Sequence, residues 1–200
     1  CGIEDLDSFK WLGYDGSKQQ NKERKRALAA LKRAGALDED ADLTNRGVEL
    51  EGLEPKFVDH ALLLSESDAF GCSLEVATLL SFVSAGRKLF LENEQELVSY
   101  DRWRSGCYDD LDFYLRIYFH WEEAGKSADE KAHAKWSRSQ GLNHNVLKNV
   151  AKLRQDALRP FTMRTHTDAT ARALDLERLH RVRFVVARSL PEWLYVRDQK

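Results

Sequence analysis

The stretch LKRAGALDEDADLTNRG, from Leu31 to Gly47, decides how the first part of the chain folds. Leu31 belongs to an apolar stripe with Ala27, Leu28 and Ala34, which marks the buried face of a helix expected at residues 21–34. Gly35 stands at the C-terminal stop position of that helix. Ala36-Leu37 and Leu43 flank an acidic turn, Asp38-Glu39-Asp40, and two or three residues on each side suffice for a minimal wing or hairpin. Thr44 then opens a second helix through its hydroxyl. That helix carries Val48 and Leu50 and gives out near Leu53 to Pro55. Helix, short apolar step, turn and helix in this order are what a small winged-helix unit needs.

Charge is unevenly distributed around this stretch. The net charge is −2, yet residues 1–125 hold 15 Lys or Arg against 25 Asp or Glu, whereas residues 126–200 hold 16 against 8. Such asymmetry points to an anionic partner for the basic portion, with nucleic acid the commoner one. Head-to-tail docking of two oppositely charged subdomains is the competing explanation. A second basic cluster, Lys22, Arg24, Lys25 and Arg26, lies on the first turns of the 21–34 helix. Cations there oppose the helix dipole, so helix stability does not explain them. A solvated face is the expectation, with phosphate contact the alternative.

Composition narrows the class. Apolar residues make up 42% and charged residues 32% of 200 residues, with three Pro and eleven Gly, as in a globular protein without long linkers. A chain of this size buries roughly 70% of its unfolded surface and needs no covalent staples. Cys1, Cys72 and Cys107 are odd in number and form no CxxC pair. They imply a reducing, intracellular compartment and no disulfide framework. No apolar run reaches the length of a membrane span, and no signal peptide is visible. The first residue is Cys1 rather than Met, which suggests a piece excised from a longer chain.

Downstream, helical periodicity dominates. Residues 3–14 suit a short docking helix or turn. Residues 56–70 and 73–84 read as a helical pair broken at Gly71, and the second is apolar enough to be buried on most sides. Residues 86–106 suit a loop and a short helix, with an acidic segment at Glu92 to Glu96. Residues 108–124 form an amphipathic helix with Leu111, Leu115, Tyr118 and Phe119 inward. Gly125 to Asp129 is the best internal boundary. A helix at 130–139 turns Trp136 inward.

The clearest helix spans 142–159, where Leu142, Val146, Val150, Leu153 and Ala157 form one stripe. His144, Lys148, Lys152, Gln155 and Arg159 recur with the same spacing on the other side, and Pro160 is expected to stop the helix. Thr162 to Ala169 is loop-like, 170–189 helical, and Trp193 to Val196 β-like. The expected architecture is mainly α. A winged-helix unit at 1–55 precedes a helical bundle at 56–160, and 161–200 adds a helix and a short β element.

Catalytic signatures are missing from the sequence. It holds no GxxxxGK[ST] loop, no GxGxxG, no HExxH and no GxSxG. His120, His133 and Asp109 make a poor metal set. Cys107 makes a poor nucleophile, because its acidic neighbours raise a thiol pKa.

Several elements resemble the C-terminal helicase-associated region of the DEAH-type helicases. Gly2-Ile3-Glu4-Asp5-Leu6, followed by Phe9 and Trp11-Leu12, is similar to the segment leading out of that family's second motor domain. Ala27-Leu28, Leu31, Gly35-Ala36-Leu37, Leu43-Thr44 and Gly47 resemble its winged helix. Residues 57–84, with Gly71-Cys72 before Leu74, resemble the start of its helical ratchet bundle. Asp109-Asp110-Leu111 through Trp121 is similar to its Asp-rich helix entry. Trp136 to Gln140, Gly141-Leu142-Asn143-His144 and Leu147 to Leu158 resemble its Trp, Leu-Asn-Tyr and basic-helix signature. Residues 176–198 look like the last helix and first strand before a terminal OB-fold. The chain departs at His144, where Tyr is usual, at Asp110, where His often follows the Asp, and at Leu53-Glu54-Pro55, which is shorter than the usual link.

The resemblance implies an accessory module of an ATP-dependent RNA or DNA helicase. ATP and magnesium would belong to RecA-like motor domains elsewhere in the parent chain, with no cofactor in this part. The module would help close a channel around one strand, through mainly phosphate contacts. His144, Lys148, Lys152, Gln155 and Arg159 are the residues expected to contact the strand. The aromatics Trp103, Tyr108, Tyr114 and Trp136 are expected in the core rather than stacked on bases. A stand-alone winged-helix DNA-binding regulator and an all-helical protein-interaction scaffold are the alternatives. Against the regulator, the helix after Thr44 carries Glu49 and Glu51 beside Arg46.

Overall fold

Ser17 accepts the backbone N–H of Gln20 through its hydroxyl at 3.3 Å. It thereby starts α1 (Lys18–Arg33), three residues earlier than apolar periodicity alone suggests, in a computed structural model of the chain. The structure describes residues 17–51, 58–86, 88–92, 96–162 and 176–190. The expectations for residues 3–14, for Leu53 to Pro55 and for Trp193 to Val196 lie outside them. So does most of the 162–169 loop. The described part is mainly helical, with nine helices and two isolated β-bridges. The chain divides into two compact units, Cys1–Gly52 and Leu53–Lys200.

In the first unit α1 ends at Gly35 (φ +70°), a backbone that favours glycine. The N–H groups of Ala36 and Gly35 return to the carbonyls of Leu31 and Lys32, each at 2.9 Å, in a Schellman closure. Leu37 and Leu43 then form an antiparallel bridge. The turn between them is held by its own aspartate: Asp38 Oδ1 accepts the N–H groups of Asp40 (3.0 Å) and Asp42 (2.9 Å). Thr44 Oγ1 accepts the Gly47 N–H at 3.0 Å and caps α2 (Asn45–Glu51). A Cβ at Gly47 would lie 2.3 Å from the Ala36 carbonyl oxygen and 2.6 Å from Leu43 Cδ1. Only glycine lets α2 approach the extended step this closely, and Ala34, Ala36 and Leu50 are buried in this unit.

The second unit is built around α4 (Ser73–Ala85). It packs against α3 (Val58–Ala69), α6 (Asp110–Gly125) and most extensively α8 (His144–Thr162). Val76, Ala77 and Leu80 are buried, as its continuous apolar sequence requires, although Val83 is exposed. Its hydroxyls are accommodated locally: Thr78 donates to the Leu74 carbonyl at 2.7 Å and Ser81 to that of Ala77 at 2.6 Å. α5 (Glu96–Arg104) packs on α6, and α7 (Glu130–Ser139) rests on α6 and α8. The core joins Phe90, Phe113, Ile117, Tyr118 and Trp121 to Leu142, Val146, Leu147 and Val150.

Asp109 caps α6 by accepting the Asp112 N–H at 2.8 Å, and Asp112 reaches back to the Tyr108 N–H at 3.0 Å. α9 (Leu176–Ser189) packs on α3 and α6 and is tied down by three arginines. Arg178 meets Glu75 at 2.8 Å, Arg183 meets Asp109 at 2.7 Å and Arg188 meets Glu66 at 3.3 Å. The Glu75 side chain is only 1% exposed, so its ion pair is a buried one.

Two expectations about α8 need correction. The helix begins at His144 rather than 142, because Leu142 is drawn into an antiparallel bridge with Phe90. The Asn143 N–H donates to the Leu89 carbonyl at 2.8 Å and the Leu91 N–H to the Gly141 carbonyl at 2.9 Å. Gly141 itself sits at φ +73°, with room for no Cβ beside Ser99. At the other end Pro160 does not stop α8, which runs on to Thr162. A proline withdraws one hydrogen-bond donor, and only two helical residues follow it.

Candidate nucleic-acid interface

Asp129 accepts the Ala132 N–H at 2.8 Å and starts α7 immediately after the Gly125 boundary. The helix turns Ser137 inward and leaves Lys131, Lys135 and Arg138 exposed. Spacings of four and three put these cations on one face, over roughly 10 Å of helix at 1.5 Å per residue. They line one shallow groove with Glu130 and Ala134. Among the described residues Lys131 and Lys135 have no ion-pair or hydrogen-bond partner. Arg138 Nε donates only to the Ala134 carbonyl of its own helix, at 3.4 Å.

α8 presents a different picture. His144 is not on the exposed stripe: it is 9% exposed and covered by α7. Trp121 Nε1 donates to His144 Nδ1 at 3.2 Å, and Ser137 Oγ lies 3.0 Å from the same nitrogen. The indole N–H can only donate, so Nδ1 carries the lone pair and the ring proton belongs on Nε2. His144 Nε2 faces Glu130 Oε1 at 3.4 Å. The His133 ring stacks on Trp121 at 4.5 Å and meets His144 edge-on at 4.8 Å. Burial lowers the His144 pKa, against the raising effect of Glu130, and nearby His133 pushes the same way as burial. His144 is therefore a neutral joint between α6, α7 and α8 and contributes no charge to a strand. Its spacing placed it at the edge of the stripe, and a neighbouring helix covers that edge.

The remaining stripe residues are exposed, but two are engaged. Lys148 Nζ donates to Glu130 Oε1 at 2.6 Å, and with His144 it holds the Glu130 carboxyl below its ordinary value. Arg159 pairs with Asp156 at 2.7 Å. Lys152 and Gln155 are exposed, and neither has a partner among the described residues. Arg154, on an adjacent face, pairs with Glu122 and lies 4.6 Å above the Tyr118 ring. It belongs to the core. The sequence reading missed Lys131 and Lys135. Their four-residue spacing within the basic last part of the chain is the signal for them, on a face other than that of Trp136.

The aromatic expectations divide. Trp103 is half-buried and donates to the Gln140 carbonyl at 3.2 Å, while Tyr114 packs 5.0 Å from Phe82. Trp136 is half-buried. Tyr108 departs from the expectation: it is 73% exposed, with the Arg183 guanidinium 5.6 Å above its ring. Phe82, Phe90, Tyr100, Phe113 and Tyr114 also line a cleft of about 490 Å³ between α4, α5 and α6.

Among the described residues no cluster of three or more His, Cys, Asp or Glu can hold a metal ion. His133 lies against Trp121, whereas His120 packs 5.7 Å from Trp103. Burial raises the Cys107 thiol and pushes that of Cys72 up to about 12. A raised pKa leaves little thiolate at either position near neutral pH. No described helix is long and apolar enough to cross a membrane. No protein-family model matches the chain.

Proposed function

We propose that the chain is an accessory module of a DEAH-type ATP-dependent helicase. In this reading its second unit holds one strand of RNA or DNA against the outer face of α7 and the adjoining start of α8. The observation that carries it is the exposed stripe of Lys131, Lys135 and Arg138, two of them unpaired, with Lys148 and Lys152 on the neighbouring helix. Unpaired exposed cations along a helix attract phosphate and are blind to base identity. The order of elements supports the winged-helix part of the reading. A capped α1, a two-residue bridge around an aspartate turn and a Thr44-capped α2 precede a helical bundle. The bundle corresponds to the ratchet. Turnover belongs to RecA-like motor domains in the parent chain, which would supply ATP and magnesium chemistry.

Fluorescence anisotropy of the 200-residue chain with labelled 20-mer oligonucleotides tests this reading. The wild type is expected to bind a single strand weakly, with affinity that falls as salt rises. Lys131→Glu/Lys135→Glu is expected to lose about tenfold or more at 50 mM salt, in line with the salt dependence of phosphate contacts. Wild-type binding by that variant would remove the second unit from the strand path.

One observation favours the interaction-scaffold reading. The aromatic cleft between α4, α5 and α6 is of the size small ligands and anchor side chains occupy. A chain that binds no oligonucleotide at low salt would leave that reading ahead.

A further inference from the structure

The first unit carries a second set of cations that its fold does not use. α1 holds seven basic residues and one acidic residue, within a stretch of 125 residues that is otherwise strongly acidic. Lys18, Lys22, Lys25 and Arg26 follow one another at spacings of four, three and one, and all four are exposed. They line one groove on the helix with Asn21 and Ala29. None of the four has a hydrogen-bond or ion-pair partner among the described residues. Glu23, the acidic residue of α1, is on a neighbouring face and accepts from Gln19 Nε2 at 2.5 Å.

Local physics disfavours this arrangement. Like charges three and four residues apart repel along a helix, and cations in the first turns oppose the macrodipole. Both costs are relieved by a bound polyanion. The chemistry of the face selects among polyanions. An acidic protein surface would bring an interface whose centre is apolar and depleted of charge. Here Ala29 is the only apolar residue in the groove among the described residues. Among the described residues no aromatic ring lines it, so they offer no base stacking either. What remains is a row of point charges over roughly 12 Å of helix, suited to successive phosphates.

We propose that the Lys18, Lys22, Lys25 and Arg26 face of α1 is a contact surface for the phosphodiester backbone of a nucleic acid. It rests on the reading of the chain as a nucleic-acid binder, but on a surface in the other unit. Four phosphate contacts on a single strand contribute a slope of about −2.8 to log K against log salt, and somewhat more on a duplex. The contact reads no sequence.

The test uses the whole chain, with labelled single-stranded and duplex 20-mers, across 50–200 mM salt. The variant is Lys18→Gln/Lys22→Gln/Lys25→Gln/Arg26→Gln, because glutamine keeps nearly the helix propensity of lysine. Circular dichroism checks that the helix is retained, and Lys22→Gln/Lys25→Gln serves as the milder substitute if it is not. The expected result is a salt slope shallower by about 2 to 3 for the fourfold variant, and by about half of that for the double variant. A loss on both oligonucleotides assigns the contact to backbone in general, and a loss on one alone identifies the form recognised.

Unchanged affinity and slope on both oligonucleotides overturns the proposal, and α1 then faces solvent or an acidic protein. The two assignments fail separately. If only the α7 reading is wrong, Lys131→Glu/Lys135→Glu binds like wild type while the α1 variant still weakens. If only the α1 proposal is wrong, the reverse holds.

Discussion

α1 and α8 carry similar basic sequences and lead different electrostatic lives. On α8, Lys148, Arg154 and Arg159 each meet a carboxylate, those of Glu130, Glu122 and Asp156, and His144 is buried as a neutral joint. On α1, Lys18, Lys22, Lys25 and Arg26 meet none among the described residues. The difference lies in the neighbours. α8 packs against α4 and α7, and α6 and α7 present Glu122 and Glu130 to Arg154 and Lys148. A basic stripe read from sequence measures charge, whereas availability depends on what other helices place opposite it.

The cations form a series from buried to free, and substitutions along it should show falling costs in stability. The largest effect is expected at Arg178→Met. It strands the Glu75 carboxylate, which is 1% exposed and already has one oxygen without a partner. Loss of one member of such a pair costs about 3–5 kcal/mol, readable as a lower urea midpoint. A loss below about 1 kcal/mol would place Arg178 with the surface pairs and break the series. Arg154→Met comes next. Glu122 is partly exposed, and the stacking over Tyr118 is lost, so about 1–2 kcal/mol is expected in the same assay.

His144 sharpens the comparison through pH. Its pKa is lowered in the fold, chiefly by burial. The unfolded chain therefore binds a proton that the folded chain refuses. Stability is full above the ordinary histidine value near 6.5 and falls as pH drops below it. His144→Asn keeps an acceptor for the Trp121 N–H and cannot titrate. Its urea midpoint should change less than that of wild type between pH 7.5 and 5.5, and an equal change would sink the assignment of His144 as a neutral joint. The smallest effect belongs to Lys148→Gln. Its pair with Glu130 is half exposed and screened by solvent, so a urea midpoint indistinguishable from wild type is expected.

Much of the fold was legible because local signals were strong. Gly35 and Thr44 mark helix ends through backbone preference and cap, and each acts where the sequence placed it, while Asp109 caps α6 from within the helix expected at 108–124 and Asp129 caps α7 at the end of the expected boundary. What could not be read was anything requiring a distant partner. The bridge that pulls Leu142 out of α8 depends on Phe90, and the cover over His144 depends on Trp121 and Ser137. Neither leaves a periodic trace in the segment itself. The candidate strand-binding surface moves away from His144 for the same reason, because α7 covers it, and toward Lys131 and Lys135, whose four-residue spacing stands in the sequence itself.

We propose that unpaired cations, rather than basic residues in general, form the nucleic-acid surfaces. Lysine footprinting separates the two. The whole chain is acetylated with and without saturating single-stranded oligonucleotide at low salt, and reactivity is read at each lysine by mass spectrometry. The account predicts strong protection at Lys131 and Lys135 and at Lys18, Lys22 and Lys25. At Lys148, already held by Glu130, the change should be small. Protection centred on Lys148, with the α1 and α7 lysines as reactive as in the free chain, would contradict it.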